Sequence, residues 1–81
     1  MPIQQAQSDA VVDVRGLPRF LRHAAIMDLF DALRPGESFV IVNDHDPAPL
    51  RTHFESRTAC GHAWDYLERG PAAWLVRLTR A

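Results

Sequence analysis

The run Phe39-Val-Ile-Val42, followed at once by Asn43-Asp-His-Asp-Pro47, constrains this chain more than any other stretch. Four apolar residues, most of them β-branched, predict a short buried strand. The strand stops in four consecutive polar residues. Pro47 and Pro49 then permit a helix to start but forbid the strand to continue. A strand, a polar turn and a helix start set polar side chains at the C-terminal edge of a sheet, where open α/β layers bind ligands. The candidate site is therefore expected at this junction.

The rest of the chain supplies what such a junction needs. Ala10 to Val14 predict a first strand, ended at Arg15-Gly16, where glycine turns the backbone freely. Leu17-Pro18 lead into a first helix. Its apolar positions Ile26, Leu29, Phe30 and Leu33 recur at the spacing of one helical face, and Arg34-Pro35-Gly36 end it. Glu37 to Val42 form the second strand. A second helix from Pro47 or Pro49 to Arg57 presents Leu50 and Phe54 to the core. After a loop at Thr58 to Gly61, strands over His62 to Glu68 and Ala72 to Arg80 flank the turn Arg69-Gly70-Pro71 as a hairpin. In the last strand, Trp74, Val76 and Leu78 should face the helices.

The order β-α-β-α-β-β predicts an α+β fold: a two-layer sandwich of one four-stranded mixed sheet with both helices on one face. A right-handed crossover makes the first two strands parallel. Gly16 and Asn43 then share one edge of the sheet with both helix starts. Arg15, Arg22, His23 and Asn43 to Asp46 are expected to gather there.

With 81 residues, the chain is expected to hold one domain, over residues 10–81, preceded by a flexible tail over residues 1–9 with nothing to bury. Cys60 is the single cysteine, so no internal disulfide forms. That, with no charged-then-apolar leader pattern, predicts a cytoplasmic protein. No apolar run approaches membrane-spanning length. The net charge of −1 argues against a general nucleic-acid binder, which needs a basic face.

Asp13-Val-Arg-Gly-Leu-Pro18, Arg22-His23, Pro35-Gly-Glu-Ser-Phe39, Val42-Asn-Asp-His-Asp-Pro47, Pro49-Leu50 and Tyr66-Leu-Glu-x-Gly-Pro71 with Trp74 resemble an uncharacterised bacterial family, domain of unknown function 2249. The resemblance runs from about Val11 to Arg80. That family looks related to the TusA/SirA-like sulfur-carrier fold, which has the same element order. The resemblance implies occurrence alone or beside hemerythrin-like or cupin-like domains, in a respiratory or nitrogen-oxide context. Sulfur carriers have Asp-x-x-Gly-Leu-x-Cys-Pro-x-Pro before helix one. Asp13, Gly16 and Leu17 fit, but Arg19 stands at the cysteine position and Phe20 at the first proline. Without a thiol there, no persulfide forms. Cys60 lies in the loop before strand three, away from that edge, and is expected to be a passive small residue.

The candidate groups each carry two readings. His45, between Asp44 and Asp46, is either a ligand or base with its tautomer set by a carboxylate, or part of plain turn chemistry. Asp46 is expected to cap helix two or shape the turn. His23, near the start of helix one, is either hydrogen-bonded to a loop carbonyl or one half of a His23/His45 transition-metal pair; the helix dipole there favours its neutral form. Arg15 is expected to pair with Asp44 or Asp46, with an anion clamp as the alternative. His53 is placed on the solvent flank of helix two and His62 at the start of strand three, neither with a specific role. Trp64, Tyr66 and Trp74 are read as core or hairpin packing rather than as a stacking platform for bases.

Two functions follow. The first is a small binding or interaction module for a protein partner or small ligand, accessory to a redox or nitrogen-oxide pathway. The second is a metal- or cofactor-binding domain that uses His45 with His23. An enzyme ranks third, because the sequence offers no nucleophile-base-orienter set and no phosphate loop.

Overall fold

The computed structural model of the protein describes residues 10–57 and 61–81. The expected tail over residues 1–9 and the expected role of Cys60 lie outside the described residues. The elements are β1 (Ala10–Asp13), α1 (Arg19–Asp31), β2 (Ser38–Asn43), α2 (Ala48–Arg57), β3 (His62–Arg69) and β4 (Trp74–Arg80). This is the β-α-β-α-β-β order that the sequence predicts.

The four strands form one mixed sheet in the order β1-β2-β4-β3. β1 and β2 pair in parallel, with Val12 opposite Ile41. β4 runs antiparallel to both β2 and β3. β2 is therefore an inner strand, which explains its unbroken apolar run. Phe39 and Ile41 are buried on one face, and Val40 and Val42 on the other.

One core cluster joins Ile26, Met27 and Phe30 of α1, Leu50 and Phe54 of α2, and Phe39, Ile41, Val76 and Leu78 of the sheet. Both helices thus cover the same face. They meet where the Phe30 ring packs edge-on against Phe54, with centroids 4.9 Å apart. The rings of Trp64, Tyr66 and Trp74 continue from Phe54 along the β3–β4 hairpin in edge-to-face contacts. This is the packing role expected of them. His62 packs its ring against Phe30 and Phe54 at the same margin.

The face of α1 differs from the expected stripe. Leu29 is 41% exposed, whereas Arg22 is buried; Met27, which widens the expected stripe, is buried as well. The helix ends at Asp31, and the Ala32 N–H donates to the Asp28 and Leu29 carbonyls. Leu33 therefore packs against the core from the loop beyond. The ridge that points inward is Arg22, Ile26 and Phe30 at four-residue spacing, with Met27 beside it. Strand limits also shift: β2 runs from Ser38 to Asn43, β3 reaches Arg69, and β4 begins at Trp74. Among the described residues, no helix is long and apolar enough to cross a membrane.

Candidate functional site

Parallel pairing of β1 with β2 brings the chain just after β1, the last residue of β2 and the first turns of both helices to one edge. The Val14 N–H donates to the Val42 carbonyl at 3.1 Å and carries the ladder to that edge. Val14 is buried, so the chain turns outward only at Arg15.

Arg22 organises this edge. The residue is 6% exposed, and every N–H of its guanidinium has an acceptor. Nε donates to the Leu17 carbonyl at 2.9 Å. Nη1 donates to Asn43 Oδ1 at 2.9 Å and to Asp44 Oδ1 at 3.0 Å. Nη2 donates to the Arg15 carbonyl at 3.1 Å and to Asp44 Oδ2 at 3.4 Å. One side chain thus ties the β1–α1 connection to the β2–α2 turn. The planar, permanently charged fork suits this, and a lysine would reach fewer of these acceptors.

Asn43 closes β2 on the helix-facing side, in phase with Phe39 and Ile41, and is 4% exposed. Its Oδ1 also accepts the Asp44 N–H at 2.8 Å. Asp44 in turn accepts from His45 Nδ1 at 2.7 Å. The Asp44 carboxyl is held far below the usual carboxylate range, first by the Arg22 hydrogen bond and then by that from His45. An ionised carboxylate only accepts, so His45 Nδ1 carries the proton and Nε2 is left for other partners. The Asp44 contact is the one that both readings of His45, as ligand or base and as turn residue, share.

Of the two roles expected of Asp46, it takes the turn role and not the cap. The helix-capping position falls on Pro47, whose carbonyl accepts the Arg51 N–H at 3.0 Å. The Asp46 carboxylate instead accepts the Tyr66 hydroxyl at 2.7 Å and fastens the turn to β3. Burial pushes the Tyr66 hydroxyl up, and this hydrogen bond adds to the shift.

Arg15 is a second correction. It does not pair with Asp44 or Asp46; its Nη2 lies 2.7 Å from Asp13 Oδ2, and Nε and the backbone N–H both bond Asp13 Oδ1. A carboxylate two residues away on the same turn is closer than one across the edge. These bonds lower the Asp13 carboxyl to about 2, the side-chain bond being the largest cause. Only the carbonyl of Arg15 joins the Arg22 network. The ion pair to the acidic turn is made by Arg22 instead. The one signal for this in the sequence was a charged residue in phase with Ile26 and Phe30, which a buried helical ridge admits only when the charge is matched.

A cavity of about 180 Å³ opens between the first turns of α1 and α2, with Arg22 and Asn43 at its wall together with Arg19, His23 and His45. The apolar part of its lining includes Ile26 and Leu50. The site thus collects His23, Asn43 and His45 around one space, with Asp44 behind them. The His23 imidazole is pushed below its usual range by burial first, then by His53 and His45. The ring of His53 lies 5.9 Å from that of His23. His53 is exposed on α2, as expected, but close enough to bear on His23. Among the described residues, no group of three or more His, Cys, Asp or Glu side chains is arranged to hold a metal ion. Arg19, which sequence reasoning passed over as a site residue, lines the cavity because it is the first residue of α1.

A family model described as "Uncharacterized conserved protein (DUF2249)" matches residues 11–80. The chain belongs to that family. No curated protein and no solved structure matches it.

Proposed function

We propose that this member of the DUF2249 family is a small binding module that seats a ligand in the cavity between α1 and α2 and performs no chemistry of its own. The observation that carries this reading is Arg22. All its hydrogen bonds are spent within the protein, on fixing Asn43 and Asp44 and through Asp44 His45. A buried charge committed in this way pre-organises a site rather than reacting in it. Its element order is that of the TusA/SirA sulfur carriers, but Arg19 and Phe20 occupy the positions where those carriers have their cysteine and first proline. Phe20 is 81% exposed, and Leu17 and Leu21 beside it are also exposed, which supports a protein partner docking next to the ligand. The likeness that includes hemerythrin-like and cupin-like neighbours supports an accessory place in a redox or nitrogen-oxide pathway.

The metal-binding alternative rests on His45 with His23. It takes second place, because two imidazoles without a third ligand make a weak site. The test is equilibrium dialysis of the untagged protein against a small-molecule extract of its host, read by mass spectrometry, with His45→Ala as control. A compound enriched by the wild type and lost in the folded variant supports the binding module. Stoichiometric metal in the untagged protein, removed by His45→Ala, favours the alternative. Equal retention by both proteins overturns the assignment of the cavity.

A further inference from the structure

We infer that the cavity takes a small oxyanion, either a carboxylate or an inorganic oxyanion of similar size, with the Asn43 amide and the Arg19 guanidinium as its donors. This rests on the reading of the cavity as a ligand site and adds the class of ligand.

Asn43 supplies the first argument. Its Oδ1 accepts from both Arg22 Nη1 and the Asp44 N–H, at 2.9 and 2.8 Å, and these bonds fix the plane of the amide. Nδ2 makes no hydrogen bond to the described residues and is not among their fully buried unpartnered atoms, so solvent reaches it from the cavity, where Asn43 stands on the wall. A donor held in one plane and open to the cavity can bond an acceptor that enters it. Rotating the amide would not help, because it would turn N–H groups toward Arg22 and the Asp44 N–H. The cavity is left with a fixed donor and calls for an acceptor.

Charge supplies the second argument. Arg22 is matched by Asp44, but Arg19 makes no ion pair among the described residues. Among the described residues, no Asp or Glu lines the cavity. α1 and α2 both begin there with no acidic residue in the first turn, and α1 has no side-chain cap. Their partial positive charges reach the cavity with no carboxylate among its described lining residues, and the nearby Asp44 carboxylate behind the wall is already matched by Arg22.

Size supplies the third. About 180 Å³ is well below the roughly 300–1,000 Å³ of pockets for drug-sized ligands. The occupant has few heavy atoms, and the apolar side chains of Ile26 and Leu50 leave room for a short hydrocarbon end.

The experiment is an NMR titration of ¹⁵N-labelled protein at constant ionic strength. The probes are sodium acetate, sodium sulfate, acetamide as the neutral counterpart, and methylammonium chloride as the cation. Saturable shifts of the Asn43 side-chain amide with acetate or sulfate, absent with acetamide and methylammonium, support the inference. Acetate alone identifies a carboxylate, and sulfate alone an inorganic oxyanion. Arg19→Gln, at an exposed position, should keep the fold and weaken the oxyanion about tenfold. Shifts as large with acetamide or methylammonium overturn the oxyanion while leaving the cavity a ligand site. No shift with any probe overturns the inference and counts against the cavity as well.

Discussion

Arg22 and Asp44 stand 22 positions apart in the sequence, yet Arg22 Nη1 lies 3.0 Å from Asp44 Oδ1. That contact, rather than the expected one from Arg15, locks the β2–α2 turn to the start of α1. The same guanidinium reaches Asn43, Leu17 and the Arg15 carbonyl, so fold and site share one residue.

Arg22→Gln should therefore be felt in both. It takes donors away from the buried Asn43 amide oxygen and from two backbone carbonyls, and should lower stability by about 1–3 kcal/mol in urea denaturation. In NMR spectra, the resonances of Asn43 to His45 should move with it. Arg15→Ala keeps the Arg15 carbonyl and should leave those resonances in place. Equal disturbance by both variants would refute the central position given to Arg22.

The inward ridge of α1 can be checked by truncation. Phe30, 4% exposed and edge-on to Phe54, should cost about 3–5 kcal/mol when changed to Ala. Leu29→Ala, on the exposed flank, should stay within about 0.5 kcal/mol of the wild type. A large loss at Leu29 would mean that the helix presents a different face.

His23 should make stability depend on pH in weakly acid solution. Its folded value lies below the unfolded one, because burial and the neighbouring histidines disfavour the cation. Between those two values the unfolded chain binds more protons, so stability falls as pH drops from about 6.5 through the folded value, and is unaffected by this group above that range. His23→Gln should flatten this limb of a denaturation series. Asp13, lowered from 3.8 to about 2, gives a separate loss as pH falls between those two values. An unchanged slope in His23→Gln would show that another group controls the weakly acid limb.

Gly70 turns the hairpin at φ +65, and a Cβ there would lie 2.9 Å from the Trp74 ring. Gly70→Ala combines a left-handed backbone with that clash and should cost more than about 1 kcal/mol. The change should appear first in the Trp74 fluorescence and in the amide linking Gly70 to Ala73. A neutral outcome in thermal unfolding would show that the turn adapts.

The sequence by itself determined the element order, the parallel pairing of the first two strands and the edge that carries the candidate site. Those follow from local signals: the apolar run of β2, the prolines after it, and the turn residues at Gly16, Gly36 and Gly70. It also indicated Asn43, Asp44, His45 and His23 as neighbours, since a right-handed crossover leaves both helix starts on one edge. Tertiary structure alone decided which partner each charged group took. Arg15 turned back to Asp13 because a local carboxylate needs no long-range ordering. Arg22 reached Asp44 because the packing of Ile26 and Phe30 rotates α1 so that its next ridge position points inward. Leu29 lost its expected place for the same reason, as the helix buries the ridge that meets Phe54 and not the widest apolar stripe. Hydrophobic periodicity sets which faces can be buried, but the phase of a helix and the pairing of side chains across it depend on contacts distant in the chain.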